Sequence, residues 1–380
     1  MRVEQRKWNK KAGWKILSDL GLGSNAQLVF VFGSTDLVQD QNLFGEVRST
    51  YPNAEIVVSS GSGEIIAGKV SQHTLNVTAL HFEKTTIKTL EINLDDVKDS
   101  FDVGAHISAQ IEKDGLSNLM IFSNGNKING SHLLTGLQFN LSEAVPITGG
   151  LAGAYDPFSS TYTGLNTVGT EGKVIGIGFY GEHLKIGHSS KAGWTPFGPE
   201  RFITKSTNNI LFELNEEPIL DFYKKYLDGL FEDMVEAIRI YPLGIKTDHG
   251  HERLLRAFLD YNPENGGALF AGDMPEGAKV RMMRSNVNSL IDAAGEAAIS
   301  SMEPFEIEKP DLAICVSCVG RQFVLQDWIN EEIEGVTTAF GDDMPMAGFY
   351  SYGEIAPQAP KQKSALHNHT MTITTFKELV

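Results

Sequence analysis

Cysteine is nearly missing from this chain. Only Cys315 and Cys318 occur in 380 residues, which excludes a disulfide framework and agrees with a reducing compartment. Long apolar runs are missing too: none approaches the roughly eighteen residues that span a bilayer as a helix. Basic residues are in deficit, with 32 Lys and Arg against 48 Asp and Glu, for a net charge of −16. That balance argues against a dedicated nucleic-acid binder, because phosphate backbones are held by clustered Lys and Arg. The one basic stretch, Arg2, Arg6, Lys7, Lys10, Lys11 and Lys15, precedes neither an apolar core nor a small-residue cleavage site, so it is a poor signal peptide and reads as a solvated helix start. A cytoplasmic protein is expected. No Walker lysine or serine elbow appears, and Gly149-Gly-Leu-Ala-Gly153 is too short and too poorly placed for a dinucleotide fingerprint. No nucleophile, base and oxyanion set assembles, so the chain reads as a binder rather than a catalyst.

What is present fits a globular protein of two or three domains, with 41% hydrophobic and 21% charged residues. Trp8 to Leu20 reads as a short amphipathic helix, ended by Gly21 and Gly23, within a helical lead-in over 1–26. Leu28 to Phe32 is a buried strand followed by a helix to about Tyr51, and Ile56 to Val58 is the next strand. Leu75 to Phe82 and Thr86 to Ile92 alternate like half-exposed antiparallel strands, while Val97 to Lys113 is helical. A weak duplication follows. Leu119 to Ser123, Gly125, a helix from about Ser131 and Val145-Pro-Ile-Thr-Gly-Gly150 are echoed by Leu312 to Cys318, Gly320, a helix from about Asp327 and Met344-Pro-Met-Ala-Gly-Phe349. The expected fold is α+β: two similar mixed halves with largely antiparallel sheets flanked by helices, and a ligand pocket near their interface.

Polar chemistry concentrates in Gly348-Phe-Tyr-Ser-Tyr-Gly-Glu-Ile355 and Leu366-His-Asn-His-Thr-Met371. These segments have a pocket's composition, although a hairpin whose tyrosines cap the core would read the same way. They resemble the closing motif of FIST-domain proteins, a family of sensory modules. Ser59-Ser-Gly-Ser-Gly-Glu-Ile-Ile66, the loop around Trp194, Pro218 to Leu227, Phe270 to Gly277 and Cys318-Val-Gly-Arg321 resemble the family in the same order. The serine at the family's frequent cysteine position in the 59–66 segment weakens any thiol role there. The resemblance implies an N-terminal domain over 27–217 and a C-terminal one over 218–380. It also implies ligand sensing for a separate partner, a histidine kinase or a cyclic-dinucleotide enzyme, with no nucleic acid and no membrane insertion. One free-standing branch of the family binds haem and senses nitric oxide; another implied ligand is an amino acid or similar metabolite.

The candidate ligand-binding residues are Cys318, Arg321, Tyr350, Tyr352, Glu354, His367, Asn368 and Thr370, expected to converge on one cavity. Cys315-x-x-Cys318 has metal spacing, but on a strand residues three apart face opposite sides, so two reduced, metal-free cysteines are expected. Arg321 could hold a ligand carboxylate bidentately, or cap a helix or form an interdomain salt bridge. Haem b would need one axial histidine, with His188, His251 and His367 as candidates. His369 reads as peripheral, and His249-Gly-His251 as a solvated loop. The rival from another class is an enzyme using Tyr350, Glu354 and His367 as acid–base groups.

Overall fold

In the computed structural model, residues 1–156, 159–229, 231, 234–247, 253–306, 308–359 and 362–379 are described. The fold is α+β, and its repeat is threefold rather than twofold. Each unit contributes a parallel strand pair joined through a helix. Leu28–Gly33 and Glu55–Ser60 flank helix Gln41–Thr50; Leu116–Ser123 and Ile147–Leu151 flank helix Gly130–Asn140; Leu312–Cys318 and Met346–Ser351 flank helix Ile329–Phe340. A returning antiparallel strand follows in every unit, Thr74–His81, Lys173–Tyr180 or Met371–Glu378. Beyond it pairs a leading strand, Arg2–Asn9, Thr86–Asn93 or Leu184–Lys191.

The units exchange strands in a ring. Glu64–Ile66 of the first unit pairs with Met346–Ser351 of the third. Thr163–Leu165 of the second pairs with Glu55–Ser60 of the first, and Gly353–Pro357 of the third pairs with Ile147–Leu151 of the second. At the centre three backbone bonds close the circle: the Ser62 N–H donates to Tyr350 O at 2.9 Å, Gly153 to Ser60 O at 3.0 Å, and Tyr352 to Leu151 O at 3.1 Å. Gly153 is required there, since a Cβ would lie 2.6 Å from Tyr350 O. Below this ring Phe32, Phe122 and Phe349, one from each unit, stand 5.0 to 6.1 Å apart between ring centres. They belong to a buried apolar core shared by all three units. The sheets therefore do not divide at Pro218.

The expected helix at Trp8 to Leu20 is instead a hairpin of Arg2–Asn9 and Gly13–Ser18, with Trp8 opposite Trp14. Asn9 Oδ1 accepts the Lys11 and Ala12 N–H groups and Gly13 takes φ +68°, so local turn chemistry overrides an apolar spacing that also suits a helix. The third unit carries an insertion between its leading strand and helix Val287–Ser301. The long strand Thr195–Thr207, helix Ile219–Leu227 and strand Lys279–Arg284 belong to it, around a separate core that includes Phe222, Tyr223, Phe270 and Met282. This inserted lobe leans on the second and third units. The buried Arg256 donates from Nη1 to Leu366 O at 3.0 Å, and Asn129 Nδ2 donates to Asp273 Oδ1 at 2.9 Å.

Candidate functional site

A cavity of about 580 Å³ lies in the seam between the inserted lobe and the second and third units. Three backbone segments shape it. Gly125 to Asn129 leaves the strand Leu116–Ser123, Cys318 to Gly320 leaves the equivalent strand of the third unit, and Ala257 to Asp260 comes from the lobe. Its walls are mainly apolar, with Phe258, Phe270 and Phe323 among them, while Arg239, Asp260 and Lys127, the last paired with Glu171 at 2.5 Å, bring charge of both signs. Concave, largely apolar surfaces with a few polar groups are how proteins hold small molecules.

The decisive polar group is His369. It is 1% exposed, lines this cavity, and neither ring nitrogen has a hydrogen-bond partner among the described residues. Burial pushes its pKa down to about 3, and the nearby Arg321 charge adds to that, so the ring is neutral at physiological pH. Its setting is built: the ring meets Trp194 edge to face at 4.8 Å, and Gly320 leaves room for it, since a Cβ there would lie 2.6 Å from the imidazole. An unpartnered buried polar group costs about 1–3 kcal/mol, so a protein that keeps one has a reason to look for at the site. His369 also sits at φ +58°. Sequence reading set it aside as peripheral, because the resembling family motif usually keeps only the first histidine and the asparagine after it; the equivalent residue of the second unit is Gly172 at φ +71°.

The residues expected to converge do not all do so. Cys318 and Tyr352 line the 580 Å³ cavity, and the Tyr352 hydroxyl donates to Ala154 O at 3.3 Å. His367 and Thr370 border a neighbouring cavity of about 520 Å³ on the other side of the 367–370 turn. Arg321, Tyr350, Glu354 and Asn368 line neither. Arg321 is fully buried and spent internally: Nε pairs with Glu332, Nη1 donates to Ala192 O at 2.6 Å and His369 O at 3.2 Å, and Nη2 donates to Leu290 O at 2.9 Å. The pair with Glu332 lies within the third unit, so it is not the interdomain bridge that the sequence suggested. Tyr350 donates to the same Glu332 carboxylate, as does Ser317 at 3.1 Å. Burial, then the Glu332 charge, drives the Tyr350 hydroxyl well above its usual range.

Glu354 is held elsewhere, accepting from Ser351 Oγ at 2.7 Å, Thr370 Oγ1 at 2.9 Å and Thr370 N–H at 3.2 Å. Burial outweighs those bonds and raises its pKa to about 8. His367 is bonded through Nε2 to Ala356 O at 3.0 Å, and its pKa falls to about 4 because burial disfavours the cation. The acid–base trio Tyr350, Glu354 and His367 thus belongs to three separate bonding arrangements. Asn368 accepts from the Ala257 N–H at 3.4 Å and helps fix the lobe to the turn.

Cys315 and Cys318 are buried and free on the strand Leu312–Cys318, and burial raises both thiols, Cys315 to about 12 and Cys318 well above its usual value. Among the described residues no group of three or more His, Cys, Asp or Glu is placed to hold a metal ion. Of the axial candidates, His188 lies on the strand Leu184–Lys191 and lines neither cavity, and His251 lies outside the described residues. No described helix is long and apolar enough to cross a membrane.

No curated protein matches the chain. Among solved structures, cyanuric acid hydrolase from A. caulinodans is similar at 7% identity with a TM-score of 0.39, over 100% of this chain and 99% of that one, a likeness too low to bear on chemistry. The FIST N domain model matches residues 27–217 and the FIST C domain model residues 220–357, domains associated with small-ligand sensing in signal transduction. The chain belongs to the FIST family.

Proposed function

We propose that this chain senses a small molecule held in the 580 Å³ cavity and reports its occupancy to a separate signalling protein, a histidine kinase or a cyclic-dinucleotide enzyme. The observation that carries the reading is His369, a neutral imidazole with both nitrogens free, facing an apolar cavity walled on one side by a different lobe. A ligand that satisfies the imidazole and touches Phe258 bridges lobe and core. Its binding energy then favours one placement of the lobe, which is the differential contact that a signalling change requires. Arg239 favours a ligand with an acidic group, in keeping with a carboxylate metabolite.

Haem b with nitric oxide as its signal is the narrower form of the same reading. Iron needs an unhindered imidazole nitrogen over an apolar slot. His188 and His367 do not fit that demand, for the reasons of place and bonding given above, whereas His369 lines the cavity with neither nitrogen bonded among the described residues and would have to turn clear of Trp194 and Gly320 to reach iron. Haem bound there would supply the gas-binding iron, with Arg239 as the cation for a propionate. The test is titration of the purified protein with haemin and, in parallel, with a panel of carboxylate metabolites and free amino acids, followed by absorption spectra and calorimetry. Saturable binding of one of these that is lost in His369→Leu is expected. If none binds, or if binding is unchanged in His369→Leu, the assignment of this cavity falls.

A further inference from the structure

The neighbouring 520 Å³ cavity has walls of two kinds. Its inner wall is Trp194 with Leu255 and Met283, all buried. Trp194 is 7% exposed, yet its indole Nε1 has no hydrogen-bond partner. The outer wall carries Asp292 and Glu296, one turn apart on helix Val287–Ser301, exposed and in no ion pair among the described residues. Like charges at that spacing repel, and no basic partner among the described residues offsets it. The cations on the same cavity are engaged elsewhere: Arg253 holds Glu200 at 2.6 Å, and Lys191 has its own partner. Among the described residues, the groups left without a partner include the two carboxylates, the buried Trp194 N–H and the Ser190 hydroxyl, with apolar side chains between.

We infer that this cavity is a second binding site, for a small primary amine that carries a hydrogen-bond acceptor at its far end. The ammonium sits between Asp292 and Glu296, the alkyl stem lies over Leu255 and Met283, and the acceptor takes the Trp194 indole N–H. Charge-assisted bonds hold the first end, and relief of an unpaired buried donor holds the second. The inference does not depend on what occupies the 580 Å³ cavity, because the unpartnered groups are different ones.

Calorimetric titration of the full chain with 5-amino-1-pentanol tests it, with 1-pentanol as the control that lacks the ammonium. Saturable one-to-one binding of the amine and none of the alcohol is expected. The double variant Asp292→Asn/Glu296→Gln, at two exposed positions, should lose affinity by about tenfold or more. Trp194→Phe should weaken binding by a smaller factor. If Trp194→Phe fails to fold, competition between the amine and rising salt on the unaltered protein reads the same acidic end. Absence of binding, equal binding of the alcohol, or full affinity in the double variant would overturn the inference.

Discussion

The first and third units place the same device at equivalent positions and use it differently. In both, a strand-entry residue accepts a matching backbone bond, Ser34 N–H to Thr74 O at 3.2 Å and Cys318 N–H to Thr370 O at 3.0 Å. A histidine with positive φ precedes each acceptor, His73 at +54° and His369 at +58°. A buried glutamate answers each threonine: Glu64 accepts from Thr74 Oγ1 at 2.8 Å as Glu354 does from Thr370 Oγ1 at 2.9 Å. Yet His73 is exposed, with Tyr155 at 5.6 Å, while His369 is sealed between Trp194 and Gly320. The clasp is thus part of the scaffold, and the site is made by what covers it, Arg321 from within and the inserted lobe from outside. At the position matching Arg321 the first unit has Leu37, partly buried in an apolar cluster.

The sharpest way to break this comparison is Arg321→Ala, which strands Glu332 without its cation in the core and should cost about 3–5 kcal/mol in urea unfolding. Replacement of Leu37 by Ala, at the matching place, should cost less, because it removes only packing. Gly153→Ala attacks what all units share. Its Cβ meets a backbone carbonyl that cannot swing away, so a loss of about 1–3 kcal/mol is expected in the same measurement.

The two clasps should behave alike toward pH. Glu64 and Glu354 both have pKa values raised to about 8 from an ordinary 4.5, chiefly by burial. Between those values the folded state holds protons that the unfolded state has released, so stability falls as pH rises from about 4.5 to 8 and levels above it. Glu64→Gln and Glu354→Gln should each flatten that slope by a similar amount, read from urea midpoints across the pH range. Unequal slopes would mean that the clasps are not equivalent. The smallest effect is expected at the histidines themselves. His73→Gly relieves a left-handed residue but frees the unfolded chain, for a net change under about 1 kcal/mol and no change in ligand binding. His369→Gly should abolish binding in the 580 Å³ cavity at a larger cost in stability.

Much of the scaffold was legible because buried strands announce themselves. Leu28 to Phe32 and Leu312 to Cys318 are continuous apolar runs, and both are strands. The triple repeat was harder to see. The first unit lacks the Pro-x-x-Gly that marks the other two, and donated strands as short as Glu64–Ile66 have no periodicity to read. The candidate site was legible only in part, at Cys318 and Tyr352. Arg321 and Glu332 lie eleven residues apart on different helices, and nothing in a sequence says that a charged pair will meet where no water reaches. His369 was hidden for the opposite reason: its meaning comes from the absence of a partner, which only coordinates reveal.

The exchange of strands also bears on how the chain is made. While it emerges from the ribosome, Glu64–Ile66 must wait for Met346–Ser351, and the edge at Glu55–Ser60 stays open until Thr163–Leu165 appears. Open strand edges invite pairing with other chains. Early nascent segments therefore have a sheet neighbour still to be synthesised, so chaperone cover during translation should matter more for this protein than for one whose sheets close in order. Cutting the gene at the nominal domain border would leave every fragment with an edge it cannot seal.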